Sequence, residues 1–218
     1  MKLNRFTKIA VAALVLAAAA VIFLRPDISI PPAQAAAESL LAPRPADFIM
    51  GNAKAPVTMV EYFSTSCSHC AHFHNDVLPQ LSEKYIKPGK LKFIARSFVR
   101  NEPDLKATLL LQCVPREKYF TFLKVLFQEQ EKWAFDENFL ASLKIIAGVG
   151  GISGPQFDKC MANTAAETAA LKERKEATDI LLVNATPMFF VNGKKYEGAY
   201  DIPSFSKEID RLLAGGQN

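Results

Sequence analysis

The chain has few of the residues that usually bind metals. It contains only three histidines and four cysteines in 218 residues, and every histidine lies within residues 69–74. Two of the cysteines stand in the same stretch, CSHCAHFH, residues 67–74. Structural zinc sites usually take ligands from two separate pairs, and this sequence offers no second pair. A c-type haem attachment is excluded because it requires histidine directly after C-x-x-C, where this chain has Ala71.

The sequence also lacks a large excess of one charge. Its net charge is +4 at neutral pH, and residues 1–35 account for +3 of that through four basic residues and one acidic residue. The remainder carries only +1, and no basic patch indicates a nucleic-acid partner. Half of the residues are apolar, including sixteen phenylalanines, so a chain of this length can form a substantial core without depending on disulfides.

Long hydrophobic runs are scarce. The run at residues 9–24 has sixteen residues, fewer than the roughly 20 that a membrane-spanning helix needs. Basic residues precede it, and small residues in the A-x-A pattern follow within 33–37. This layout predicts a secretory signal peptide over residues 1–35, and an uncleaved membrane anchor at 9–24 is the alternative. Both interpretations predict export to the periplasm, where disulfides form and persist.

The pattern after residue 35 predicts an α/β fold interrupted by an all-helical insertion. After a linker at 36–46, two strands, a helix and a strand follow within 47–102, and two strands and a helix return within 184–214. The stretch between them, 103–183, contains helical patterns punctuated by proline and glycine, and we interpret it as the insertion. A β-α-β unit of this length predicts a parallel crossover.

Individual residues mark the ends of several of these elements. Ser66 is the predicted N-cap of the helix that follows the strand VTMVEYF. Asn192-Gly193 indicates a hairpin, and Asp201 is the predicted cap of the last helix.

Cys67 and Cys70 therefore fall between a predicted strand and the start of a predicted helix. The partial positive charge and free N–H groups of a helix N-terminus stabilise a thiolate and lower its pKa, and His69 can add positive charge beside it. Such a Cys67 would be a good nucleophile and a good leaving group, and its disulfide with Cys70 would be a strong oxidant. A purely structural bridge is disfavoured, because so small a loop removes little entropy from the unfolded chain.

Three further positions are candidates for the same site. Glu61 lies six residues before Cys67 and shares a strand face with Met59 and Phe63. A carboxylate there is either a proton acceptor beneath the dithiol or an edge-exposed glutamate, and both interpretations stay open. Thr186-Pro187, directly before a strand, fits either a cis or an ordinary trans peptide bond.

His72 and His74 lie in the same helix as the dithiol. We interpret both as surface or half-buried helix residues without a redox role.

Two stretches, VEYFSTSCSHCAHFH and TPMFFVNGKKYEGAY, together with the helical block between them, resemble the DsbA-like thiol:disulfide oxidoreductases of the thioredoxin superfamily. The resemblance extends from about Asp47 to Leu213 and implies a thioredoxin fold with a helical domain inserted before the cis-proline strand. It implies that Cys67 is an exposed nucleophile, that Cys70 is a buried resolving thiol and that Thr186–cis-Pro187 binds the substrate backbone. It also implies that Glu61 is the family's acidic residue beneath the site.

The resemblance further implies no bound cofactor, reduced exported polypeptides as substrates, and a membrane quinone-linked thiol oxidase as the reoxidising partner. Well-known members have Pro-His between the cysteines and often valine before the cis-proline, whereas this chain has Ser68-His69 and Thr186. Both positions tune the redox potential in this superfamily. An oxidase that introduces disulfides is the leading hypothesis, and an isomerase or reductase is the alternative. A metallochaperone that uses the Cys-His cluster is the alternative from another class.

The other two cysteines, Cys113 and Cys160, both fall in the predicted insertion. Some members of the family carry a second, structural disulfide in this region, so we predict a Cys113–Cys160 bridge. The chain-entropy model assigns such a bridge about 4 kcal/mol of stabilisation.

Overall fold

A computed structural model describes residues 31–215. The predicted anchor at 9–24 lies outside these residues, and so does the predicted signal peptide except for its last five positions. Between residues 31 and 215, no helix is long and apolar enough to cross a membrane.

Five strands form one mixed sheet in the spatial order β1-β3-β2-β4-β5. Their bounds are Phe48–Met50 (β1), Val57–Phe63 (β2), Leu91–Ser97 (β3), Met188–Val191 (β4) and Lys194–Lys195 (β5). The central strand β2 runs parallel to β3 and antiparallel to β4. The predicted parallel crossover between β2 and β3 and the predicted hairpin at Asn192-Gly193 are both confirmed.

Nine helices are present in the described part of the chain. The first, α1, is Pro32–Leu41, and the helical stretch 68–86, here α2, follows β2. The insertion between β3 and β4 contains α3 (Glu102–Cys113), a 3₁₀ turn (Arg116–Lys118), α4 (Tyr119–Gln128), α5 (Gln130–Trp133), α6 (Phe139–Val149), α7 (Gly154–Met161) and α8 (Thr164–Leu181). The last helix, α9, is Ile202–Leu213, and the side chain of Asp201 caps it as predicted.

Helix α2 is not a regular α-helix. Two α segments alternate with two π segments: Ser68–His72 (α), Phe73–Val77 (π), Leu78–Leu81 (α) and Ser82–Ile86 (π). Single π turns inside α-helices occur frequently at functional sites.

The sheet separates two clusters of buried side chains, because successive residues of a strand point to opposite faces. Met59 and Phe63 belong to the larger cluster, which includes residues of α2, the insertion and α9. Val60 and Tyr62 belong to the smaller cluster, which includes residues of α1 and α8. The predicted α/β class with an all-helical insertion is therefore confirmed.

The segment 36–46, predicted as a linker, differs from that expectation in its first half. Residues up to Leu41 belong to α1, and Leu41 is buried in the smaller cluster. Arg96 of β3 accounts for the ordering, because its buried guanidinium donates to the carbonyl of Ala42 at 3.0 Å and to Asp47 Oδ2 at 2.7 Å. The segment is therefore packed against the sheet through both apolar and ionic contacts.

The insertion contains a disulfide. Cys113, the last residue of α3, is bonded to Cys160 of α7 with an S–S distance of 2.04 Å. The bond joins two helices of the insertion and lies outside the stretch CSHCAHFH, in agreement with the predicted pairing.

Candidate active site

The two cysteines of CSHCAHFH lie where β2 passes into α2, and both are free thiols. Cys67, not Ser66 as predicted, is the N-cap residue of α2, with extended backbone angles. Cys70 is completely buried, and Cys67 is only 5% exposed. The expectation of an exposed Cys67 is therefore wrong. The loop at Thr186 covers its sulfur: Cys67 Sγ lies 3.3 Å from the Thr186 carbonyl oxygen, to which it donates in its thiol form.

The environment of Cys67 strongly favours its thiolate. The pKa of Cys67 is lowered to about 4, chiefly by a hydrogen bond from the Cys70 thiol. Burial opposes this change, whereas the side chain of Thr186 and the backbone N–H groups of Cys70 and His69 add to it. An N-cap side chain normally accepts from the second or third N–H of its helix, and here the Cys67 sulfur faces those two groups.

The pKa of Cys70 is changed in the opposite direction. Burial, the hydrogen bond to Cys67 and the nearby carboxyl group of Glu61 raise the pKa of the Cys70 thiol well above its ordinary value. One sulfur of the pair is therefore ionised at neutral pH while the other keeps its proton. This polarity assigns nucleophilic character to Cys67 and leaves Cys70 as a thiol that needs a proton acceptor.

The peptide bond between Thr186 and Pro187 is cis, and both residues are buried. They directly precede β4, which pairs with β2, so the sheet brings this loop to the Cys67 sulfur across 119 positions of sequence. The cis geometry is one of the two conformations that the sequence left open.

Glu61 is fully buried at the centre of the sheet and faces the larger cluster, so an edge-exposed position is excluded. Its Oε2 atom lies 2.7 Å from Nε2 of His74. Burial raises the pKa of Glu61, the pairing with His74 opposes that rise, and the Cys67 charge adds to it. The other carboxyl oxygen, Oε1, is buried without a hydrogen-bond partner in the described part of the chain.

The three histidines have different surroundings. His74 is 5% exposed, so its interpretation as a surface or half-buried residue is wrong. His72 is exposed and pairs with Asp76 at 2.7 Å, which agrees with that interpretation. His69 is exposed, and its contribution to the low pKa of Cys67 comes from its backbone N–H.

The three histidines are not arranged to form a metal site. His74 is engaged with Glu61, while His69 and His72 face solvent. Across residues 31–215, no group of three or more His, Cys, Asp or Glu side chains is placed to hold a metal ion.

Two residues of the helical insertion that the sequence analysis did not identify hold the loop before Cys67. Asp104 of α3 accepts hydrogen bonds from the backbone N–H of Thr65 at 2.7 Å and from its hydroxyl at 2.5 Å. Gln130 of α5 donates to the carbonyls of Thr65 at 2.7 Å and Cys67 at 3.1 Å. Both side chains are buried, and no local sequence pattern indicates contacts over such separations.

The sequence of this chain is similar to those of known proteins. A family model described as Thioredoxin matches residues 44–211. A Rickettsia typhi protein named "Putative protein-disulfide oxidoreductase" is 33% identical over 168 residues, which is 77% of this chain. The chain spans only 62% of the length of that relative.

Two solved structures are similar to the present one. The crystal structure of α-DsbA1 from Wolbachia pipientis is 32% identical, with a TM-score of 0.77 over 83% of this chain and 97% of that one. BdbD from Bacillus subtilis is 22% identical, with a TM-score of 0.66 over 78% of this chain and 94% of that one. At that identity, the likeness to BdbD shows the shared fold alone.

Proposed function

Because this chain is a DsbA-like member of the thioredoxin family, with a thioredoxin fold and a helical insertion, we propose that it is a thiol–disulfide oxidoreductase that introduces disulfide bonds into exported polypeptides. The observation that carries the proposal is that the pKa values of two neighbouring thiols are changed in opposite directions. The pKa of Cys67 is lowered to about 4, and that of Cys70 is raised. A thiolate so strongly stabilised favours the reduced dithiol, and its disulfide is therefore a strong oxidant.

The reaction is a pair of thiol–disulfide exchanges. A substrate thiolate attacks Cys67 Sγ of the oxidised pair, so that a substrate–Cys67 bond forms and the bond to Cys70 breaks. A second substrate thiolate then attacks the substrate sulfur of this mixed disulfide, and Cys67 leaves as a thiolate. The substrate loses two electrons and gains a disulfide, and the Cys67–Cys70 pair gains both electrons.

Glu61 and His74 exchange a proton with the buried thiol, Cys70. When the disulfide opens, Cys70 leaves as a thiolate in a site that disfavours its charge, and it therefore requires a proton. The Glu61–His74 pair supplies that proton, and in the reverse direction it accepts the proton of Cys70. The burial of both side chains and their 2.7 Å contact support this role.

Thr186 and cis-Pro187 form the substrate-binding edge. Their loop covers the Cys67 sulfur, so a polypeptide that reaches this sulfur must pass along the loop. The backbone groups of Thr186 then pair with the substrate chain beside the reacting sulfur, and the Thr186 side chain helps to hold the Cys67 thiolate.

The compartment of the reaction and its reoxidising partner follow from the predicted signal peptide. Export places the protein in the periplasm, where reduced polypeptides arrive and where a membrane quinone-linked thiol oxidase reoxidises Cys67–Cys70. Reconstitution with membranes from a bacterium that carries such an oxidase tests this part, since the dithiol should be reoxidised only when the membranes are present.

The direction of the reaction is tested by the equilibrium reduction potential of the Cys67–Cys70 pair in glutathione buffers. A value near that of DsbA, about −120 mV, supports an oxidase. A value near that of thioredoxin, about −270 mV, would instead indicate a reductase. Refolding of scrambled ribonuclease by the same preparation detects isomerase activity, which is the other alternative.

A further inference from the structure

Gln130 is the first residue of α5 and is only 3% exposed, although it belongs to the helical insertion and not to the sheet. Its amide nitrogen bridges two backbone carbonyls of the loop that ends at Cys67. The donor–acceptor distances are 2.7 Å to the Thr65 oxygen and 3.1 Å to the Cys67 oxygen. One side chain therefore holds both ends of the three-residue segment from Thr65 to Cys67.

This contact has a particular importance because the first turn of α2 lacks a conventional cap. Cys67 is the N-cap residue, and its side chain makes no capping hydrogen bond to that turn. The backbone N–H groups of His69 and Cys70 instead face the Cys67 sulfur. The backbone of Cys67 is held by the N–H of Ala71, which donates to its carbonyl at 3.0 Å, and by the amide of Gln130, which donates to the same carbonyl.

A second buried contact from the insertion acts on the other side of the same loop. The Asp104 carboxylate accepts from the backbone N–H and the hydroxyl of Thr65, and its second oxygen accepts from the N–H of Arg100. Asp104 thus fixes Thr65, but it makes no hydrogen bond to Cys67. Gln130 connects Thr65 to Cys67 itself.

We propose that Gln130 is a positioning residue for the thiol–disulfide exchange: it aligns the Cys67 sulfur with the backbone N–H groups of His69 and Cys70 by holding the carbonyls of Thr65 and Cys67. The inference rests on the proposed function. It means that a residue of the helical insertion takes part in setting the chemistry of the dithiol.

The test is the variant Gln130→Met, which has a similar length and no donor. A pKa change of one corresponds to a tenfold change in the stability of the thiolate relative to the thiol. We expect the pKa of Cys67, measured by ultraviolet absorbance of the thiolate, to rise by about one. The thiolate remains ionised at neutral pH, so the equilibrium constant for oxidising glutathione should fall about tenfold, which corresponds to about 30 mV.

The matched control is Trp133→Phe. Trp133 lies in the same helix α5, is fully buried, and donates from Nε1 to the carbonyl of Leu126 at 2.9 Å, away from the loop. Both variants lose a buried donor to a carbonyl and should lose stability in urea. Cys70, Thr186 and the backbone of His69 are unaltered in both variants. Only Gln130→Met should change the Cys67 pKa and the potential, because Gln130 contacts the loop that ends at Cys67 and the Trp133 bond lies away from it.

If Gln130→Met does not fold, Gln130→Asn replaces it, with an amide that is one methylene shorter and an expected pKa rise smaller than that of Gln130→Met. A Cys67 pKa and potential equal to those of Trp133→Phe would overturn the inference, even if stability falls. A wild-type Cys67 pKa near the free-cysteine value of about 8.5 would instead overturn the proposed function, so the two failures are distinguishable.

Discussion

Nε2 of His74 lies 2.7 Å from Oε2 of Glu61 in the buried layer beneath the dithiol, thirteen residues apart in sequence. The pair joins the central strand β2 to the first π turn of α2. Because the pKa of Cys70 is raised by the Glu61 carboxyl among other causes, the same carboxyl connects the resolving thiol to His74. In the proposed mechanism, the acid–base chemistry of the dithiol therefore depends on a contact between two buried side chains.

Replacing Glu61 with glutamine should slow proton transfer at Cys70. General acid–base groups contribute typically 10²- to 10⁴-fold, so we expect opening and closing of the Cys67–Cys70 disulfide to slow on the order of a hundredfold. Stopped-flow fluorescence with a reduced peptide measures this rate. The control is Asp76→Asn, which removes an exposed carboxylate from a 2.7 Å pair with His72 on the same helix. Equal rates in the two variants would contradict the assignment.

The same Glu61→Gln variant should differ from the wild type in its stability as a function of pH. Burial raises the pKa of Glu61 above its ordinary value of 4.5, so the folded protein binds that proton more tightly than the unfolded chain does. Wild-type stability should therefore fall, relative to the variant, as pH rises from below 4.5 through the raised pKa. Urea unfolding of the two proteins at several pH values measures the difference, and parallel curves would show that Glu61 is not perturbed.

Oxidation should remove a pH-dependent part of the stability. The pKa of Cys67 is about 4 in the folded reduced protein and near 9.0 ordinarily, so its thiolate contributes stability that is complete above pH 9 and is lost as pH falls through 4. The oxidised protein lacks this group. We expect the stability of the reduced form to rise relative to the oxidised form between pH 4 and 9. Urea unfolding of the Cys113→Ala/Cys160→Ala variant with and without reductant measures this, because only the Cys67–Cys70 pair then responds to the reductant. A constant difference over that range would count against a depressed pKa.

The disulfide of the insertion should stabilise the protein without taking part in exchange. Cys113→Ala/Cys160→Ala opens a bridge between positions 47 residues apart, and we expect a loss of about 4 kcal/mol in urea unfolding. The reduction potential of Cys67–Cys70 should be unchanged. The complementary experiment is thiol counting by mass after alkylation of unreduced Cys67→Ser/Cys70→Ser. Two alkylated thiols in that variant would exclude the bridge.

Local patterns were sufficient to predict the elements that surround the dithiol. A nearly continuous apolar run marks β2, the Asn192-Gly193 turn marks the β4–β5 hairpin, and Asp201 caps α9. Each of these signals lies within a few residues of the element that it specifies. The C-x-x-C spacing after a strand placed Cys67 at the helix start for the same reason.

Contacts between distant positions explain what was not predicted. The ordering of segment 36–46 depends on Arg96, more than fifty residues away, and the support of Cys67 depends on Gln130, 63 residues away. Ser66 was predicted as the cap because its hydroxyl is a common cap group, whereas Cys67 occupies that position. For His74 a signal was present: it follows Cys67 by seven positions, two helical turns, which places it on the inward face.

The central claim is that Cys67 is an ionised thiol at neutral pH while Cys70 is not. Ultraviolet titration of the reduced protein, with Cys67→Ser as the blank, tests it most directly. We predict a thiolate transition at about pH 4 that is absent from the blank. A transition near the value of free cysteine, about 8.5, would contradict the account.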